Sequence, residues 1–147
     1  MPYISRTAGP LYIVRWDNPQ AGDVAMVERE VADAARSAPG KLYGLSIVPA
    51  TTRAPDDATR TAMGRSMSKL LVHLETMHVV IEGSGFAHTI LRNVMAGIIL
   101  VGGKRGRVFV SRDVGEALPI LGKQADLSRA QLQAILGAHG VLHDRAG

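Results

Sequence analysis

Hydrophobic and polar positions along the chain fall into segments of two periods. Tyr3–Thr7 alternates, Gly9-Pro10 interrupts, and Leu11–Trp16 is nearly all apolar. Two short extended runs around a glycine–proline break predict an antiparallel hairpin. Asp17-Asn18-Pro19 ends it. From Gly22 or Asp23 to about Ala38 the period becomes helical: Val24, Val27, Val31, Ala34 and Ala35 share one face. Pro39-Gly40 stops that helix. Lys41–Val48 then predicts a central strand, with Gly44 a point of close backbone approach. Pro49 closes the strand, and Ala50–Pro55 is a loop. Pro55-Asp56-Asp57 opens the next helix, acids in its first turn. Met63, Met67, Leu70, Leu71 and Leu74 are its buried stripe, to about Glu75.

The stretch Thr76–Val110 organises the rest. An apolar strand to Glu82 meets Gly83-Ser84-Gly85. The helical run Phe86–Val101, Gly102-Gly103 and the strand Arg107–Val110 follow. Strand, helix and strand of these lengths form one crossover unit with parallel strands. Asp113 and Glu116 make an acidic capping box for a short helix Val114–Leu121, which Gly122 ends. Ser128 and Gln131 box the last helix, whose stripe is Leu132, Ile135 and Leu136 and which ends near Gly137–Gly140. Val141–Gly147 reads as a loose tail. The predicted order is β-β-α-β-α-β-α-β-α-α. This is an α/β fold with a mixed sheet of about five strands: an N-terminal antiparallel hairpin, then parallel strands, with helices packed on it. One domain spans residues 1–147.

Composition adds limits. The chain has 147 residues, 46% hydrophobic and only 4% aromatic, so aliphatic side chains and methionine must build its core. It has no cysteine, which excludes disulfides and thiolate metal sites and points to a reducing cytoplasm. No secretory signal is evident, and no apolar run approaches the roughly twenty residues of a membrane span. The net charge of +4 is scattered apart from Lys104, Arg105 and Arg107, so no nucleic-acid partner is expected.

The order and several local patterns resemble the STAS-like family, also described as SpoIIAA-like. The echoes are Val79-Val80-Ile81-Glu82, Thr89-Ile90-Leu91-Arg92, and Val108-Phe109-Val110 leading to Asp113-Val114-Gly115-Glu116-Ala117-Leu118. The resemblance implies a bacterial-type, non-enzymatic regulatory module that binds a protein partner, without cofactor. Members that act as switches are phosphorylated on a serine in an Asp-Ser-x-Gly-like turn after the central strand. Here that stretch reads Val48-Pro49-Ala50-Thr51-Thr52-Arg53, and Thr51 and Thr52 are the nearest hydroxyls.

Candidate chemistry is sparse. Gly83-Ser84-Gly85 at a helix start can present backbone N–H groups to an anion; a tight turn with Ser84 as cap accounts for the same residues. It is neither a P-loop nor a dinucleotide fingerprint, since His88 stands where the third glycine belongs. His139 and His143 share a helical spacing across Gly140 but read as solvent-facing, so no metal site is expected. Glu82 and Asp113 could meet at one sheet edge, but capping explains Asp113 without catalysis. The leading expectation is association. Phe86, Ile90, Val94, Ile98 and Ile99 belong to an apolar set covering more of the helix than one sheet can hide, so a homodimer or another protein should lie against it. The alternative is a small-ligand, anion or lipid site built from Thr51, Thr52, Arg53, Gly83, Ser84 and Gly85 at the C-terminal ends of the strands.

Overall fold

A computed structural model of the chain describes residues 3–53, 56–83, 89, 91–93, 95–96 and 106–138. It contains a five-stranded sheet in the order β1-β2-β3-β4-β5: β1 (Tyr3–Ala8), β2 (Leu11–Trp16), β3 (Tyr43–Val48), β4 (Met77–Ile81) and β5 (Val108–Ser111). β1 pairs antiparallel with β2, and every later pairing is parallel. The helices with defined bounds are α1 (Ala21–Ser37), α2 (Asp57–His73), α3 (Val114–Ala125) and α4 (Arg129–Ala138). Residues 89, 91–93 and 95–96, between β4 and β5, are helical. The α/β architecture and element order are those the hydrophobic pattern predicts. Phe86, Ile90, Val94, Ile98 and Ile99, expected at an interface, lie outside the described residues, as do Ser84, Gly85, His88, His139, His143 and the tail.

Strand order follows chain order, so the parallel crossovers all step the same way across the sheet. Right-handed crossovers of that kind fall on one face. Accordingly Val24, Val27 and Val31 of α1, Met67 and Leu71 of α2, and Met95 share a core with Tyr12, Val14, Trp16, Val79 and Ile81. The opposite face carries Leu11, Ile13, Leu45, Ile47 and Val80. The chain after β5 covers it, with Ala117, Leu118 and Leu121 of α3 and Leu132 and Leu136 of α4. Period-two alternation thus feeds two cores, and β2 and β3 are buried on both sides.

Local devices differ from expectation in two places. α1 begins earlier than its apolar stripe, because Gln20 and Asp23 form a reciprocal cap at Ala21. Gly122 does not end α3. The helix continues to Ala125 and closes on Asp126, whose φ of 57° is left-handed. Gly122 is instead a packing site, where a Cβ would come 2.7 Å from the Leu127 carbonyl oxygen. Gly44 is the close approach its strand suggests: a Cβ there would meet Leu74 Cδ1 at 2.7 Å. Arg107, read as part of a basic cluster, is structural. Its guanidinium donates to the carbonyls of Leu71 (2.8 Å), Leu74 (2.9 Å) and Glu75 (3.2 Å), capping the C-terminal end of α2 beside β5.

Candidate functional site: a polar cleft at the carboxyl edge of the sheet

The parallel strands all end on one side of the molecule. Antiparallel β1 begins there, so Tyr3 and Ile4 join the same edge. Between these ends lies a cleft of ≈ 1170 Å³. β2 contributes Arg15 and Trp16, the loop after β3 Pro49 to Thr51, β4 and its turn Glu82 and Gly83, and β5 and its turn Val110 to Asp113. Thr89, Arg92, Asn93 and Ala96 form a further wall. In doubly wound sheets such a crevice marks a reversal of strand order. No reversal exists among these parallel strands; the cleft opens where antiparallel β1 flanks their carboxyl ends.

Strand alternation places Arg15 and Glu82 on the face covered by α3 and α4. Arg15 pairs with Ile47 and Ile47 with Val80, so Glu82 stands one step of the pleat beyond β3. The arginine reaches past the end of β3 to an ion pair of 3.7 Å with Glu82, and both side chains are largely withdrawn from solvent. Arg92 braces the adjacent turn. Its Nη1 donates to the carbonyl oxygens of Ile81 and Gly83, each at 2.9 Å. Gly83 has φ 107°, a backbone conformation that favours glycine. Asp113 accepts from the Glu116 N–H at 2.8 Å and caps α3 at the cleft rim. Trp16 is 7% exposed, and its Nε1 donates to Ser46 Oγ at 2.8 Å.

The edge strand is tied down by carboxylate hydrogen bonds. Tyr3 Oη and Ser5 Oγ both donate to Glu30 on α1, Ser5 at 2.7 Å. The hydrogen bond to Glu30 pushes the Tyr3 phenol up to about 12, so it stays protonated and donating across the physiological range. The Ala50–Pro55 loop is pinned where it is described: Thr52 N–H donates to Pro49 O at 3.0 Å, and Arg53 N–H to Asn18 Oδ1 at 2.8 Å.

Of the residues singled out from sequence, Thr51 and Gly83 line this cleft, while Thr52 and Arg53 line a neighbouring cavity. Glu82 and Asp113 line the same cleft, one ion-paired and the other capping a helix. Arg15, Trp16 and Arg92 also line the cleft. Nothing local marks them; only strand register and the returning helical segment bring them to this edge. The lining carries Arg15, Arg92 and Arg112 against Asp17, Glu82, Asp113 and Glu116, so both signs of charge face the cleft. Among the described residues no group of three or more histidine, cysteine, aspartate or glutamate side chains could hold a metal ion. Among the same residues no helix is long and apolar enough to cross a membrane.

No protein-family model matches the chain, and no curated protein sequence matches it significantly.

Proposed function

We infer that this domain is a small-ligand-binding module whose site is the carboxyl edge of the sheet. The observation that carries the reading is the ≈ 1170 Å³ cleft onto which every strand opens an end. It is an open cleft, somewhat larger than the roughly 300–1,000 Å³ usual for small-molecule sites, and its hydrogen-bonding groups come from several elements at once. Braced turns favour a preformed site: Arg92 holds the Gly83 turn, and Asn18 holds the loop after β3. The paired Glu82 and the capping Asp113 favour binding over turnover. Both signs of charge favour a polar or zwitterionic ligand over a simple anion.

A fragment library of polar and zwitterionic compounds, screened by thermal denaturation, tests the reading. Hits are expected to raise the Tm of the native chain. They should lose that effect in Thr51→Trp, where an exposed residue is replaced by one that fills the cleft. A screen without hits, or hits indifferent to Thr51→Trp, would remove it.

A second reading is association through the segment 86–101, as a STAS-like regulatory module and homodimer. Its support is the apolar pattern of Phe86, Ile90, Val94, Ile98 and Ile99 in the sequence. Sedimentation equilibrium at micromolar concentration is expected to show a dimer that Ile98→Asp converts to monomer. A native monomer contradicts it.

A further inference from the structure

A second cavity, ≈ 520 Å³, lies on the α1/α2 face of the sheet. Val48, Val79 and Ile81 of β3 and β4 form one wall, and Met63, Leu91 and Met95 line it from the helical side. Close-packed interiors hold few voids larger than a water molecule, whose share of volume is about 30 Å³. The cavity lies within the range that drug-sized ligands fill. Trp16 lines both this cavity and the cleft.

Its polar lining comes chiefly from the loops and caps around Asn18, Thr52, Arg53 and Asp56. Most of these groups are committed. Asn18 Oδ1 accepts from the Arg53 N–H. The Asp56 carboxylate accepts from the Thr59 N–H at 2.7 Å, and the Thr59 side chain first, with that backbone bond second, holds its pKa below the usual carboxylate range. Two groups remain. Thr52 Oγ1 is buried and has no hydrogen-bond partner among the described residues. The Arg53 side chain is exposed, and among the described residues its guanidinium forms no ion pair. A buried hydroxyl without a partner among the described residues, on a cavity wall, is open to a hydrogen bond from a bound molecule. Arg53, the next residue, lines the same cavity, and its guanidinium offers donors alone, in a fork that matches a carboxylate.

We propose that this cavity holds the hydrocarbon body of a small amphiphile whose terminal carboxylate is received by Arg53 and the Thr52 hydroxyl. This cavity is distinct from the cleft, and the proposal adds a second site of different ligand chemistry to the reading above.

Decanoate and 1-decanol, at concentrations below micelle formation, separate the possibilities. With methionine methyls labelled for NMR, decanoate should shift Met63 and Met95 and leave Met26, exposed on α1, in place. Emission of Trp16, the single tryptophan, should change along the same isotherm. Arg53→Ala should weaken decanoate about tenfold and leave decanol unchanged. Thr52→Val, which keeps the shape and removes the hydroxyl, should weaken it by a smaller factor. Equal affinity for decanoate and decanol overturns the carboxylate assignment. Decanoate that leaves both methyls unmoved overturns the cavity assignment. In that second case, polar fragments that still shift the amides of Thr51, Gly83 and Ser111 show that the cleft survives as a site; silence from both removes the two readings together.

Discussion

Gly122→Ala is expected to destabilise the protein by about 2–3 kcal/mol, although alanine is the better helix former. Propensity alone favours the change by roughly 1 kcal/mol. Packing outweighs it. The added Cβ would lie 2.7 Å from the Leu127 carbonyl oxygen and 3.1 Å from Leu132 Cδ1. The carbonyl belongs to the backbone at the corner between α3 and α4, so no rotamer change relieves the contact. The Leu127 N–H also donates back to Gly122 O at 2.8 Å, which fixes the corner against the helix. Leu132 is fully buried, so displacing it disturbs the core under both helices. Chemical denaturation with an unchanged m-value checks the loss. A variant as stable as the native chain would show that the corner relaxes freely. Gly115→Ala is a milder control, because its Cβ meets only Asp113 Oδ1, at 3.2 Å.

Acidification is expected to weaken the fold through His78. The imidazole is fully buried and stacks on Phe109 with ring centroids 4.9 Å apart. Gln124 Oε1 lies 2.8 Å from Nε2 and also accepts from the Thr76 hydroxyl at 3.0 Å. A carbonyl oxygen can only accept, so Nε2 carries the hydrogen and Nδ1 is bare. Nδ1 has no partner among the described residues. Protonating it creates a buried donor without an acceptor, which costs about 1–3 kcal/mol. Burial therefore pushes the His78 pKa below its ordinary value of 6.5, against the smaller opposing effect of Gln124. The sign follows. The unfolded chain binds this proton as pH falls below about 6.5, and the folded chain does not. Stability attributable to His78 is intact above that pH and declines below it, until the depressed folded pKa is reached. His78→Leu leaves Gln124 Oε1 satisfied by Thr76 and should flatten the stability profile between pH 7 and 5.5. Identical slopes for the two proteins would contradict this origin.

The sheet was legible because its signals are local. Alternation in Tyr3–Thr7, the apolar runs of β2, β3 and β4, and the stops at Pro39-Gly40 and Pro49 each act within a few residues. The end of α3 was not, because glycine signals both a stop and a close contact. Gly122 serves the second role, imposed by Leu127 and Leu132 folding back on it. The cleft was half legible. Loops after parallel strands must gather at one edge, so Thr51 and Gly83 could be anticipated there. The Arg15–Glu82 pair spans β2 to β4 and depends on strand order and register. Thr52 and Arg53, adjacent in sequence to Thr51, line a different cavity, and only the turn of the chain after Pro49 separates them. Arg107 reads as surface charge because its acceptors, the carbonyls of Leu71, Leu74 and Glu75 at and just past the end of α2, lie more than thirty residues away in sequence.

The most direct measurement is amide NMR of the labelled chain titrated with a hit from the polar fragment screen. If the carboxyl edge of the sheet is the binding site, Thr51, Gly83, Asn93 and Ser111 should shift together along one saturating isotherm while α4 stays still. Shifts scattered over the surface, or confined to α3 and α4, would contradict it.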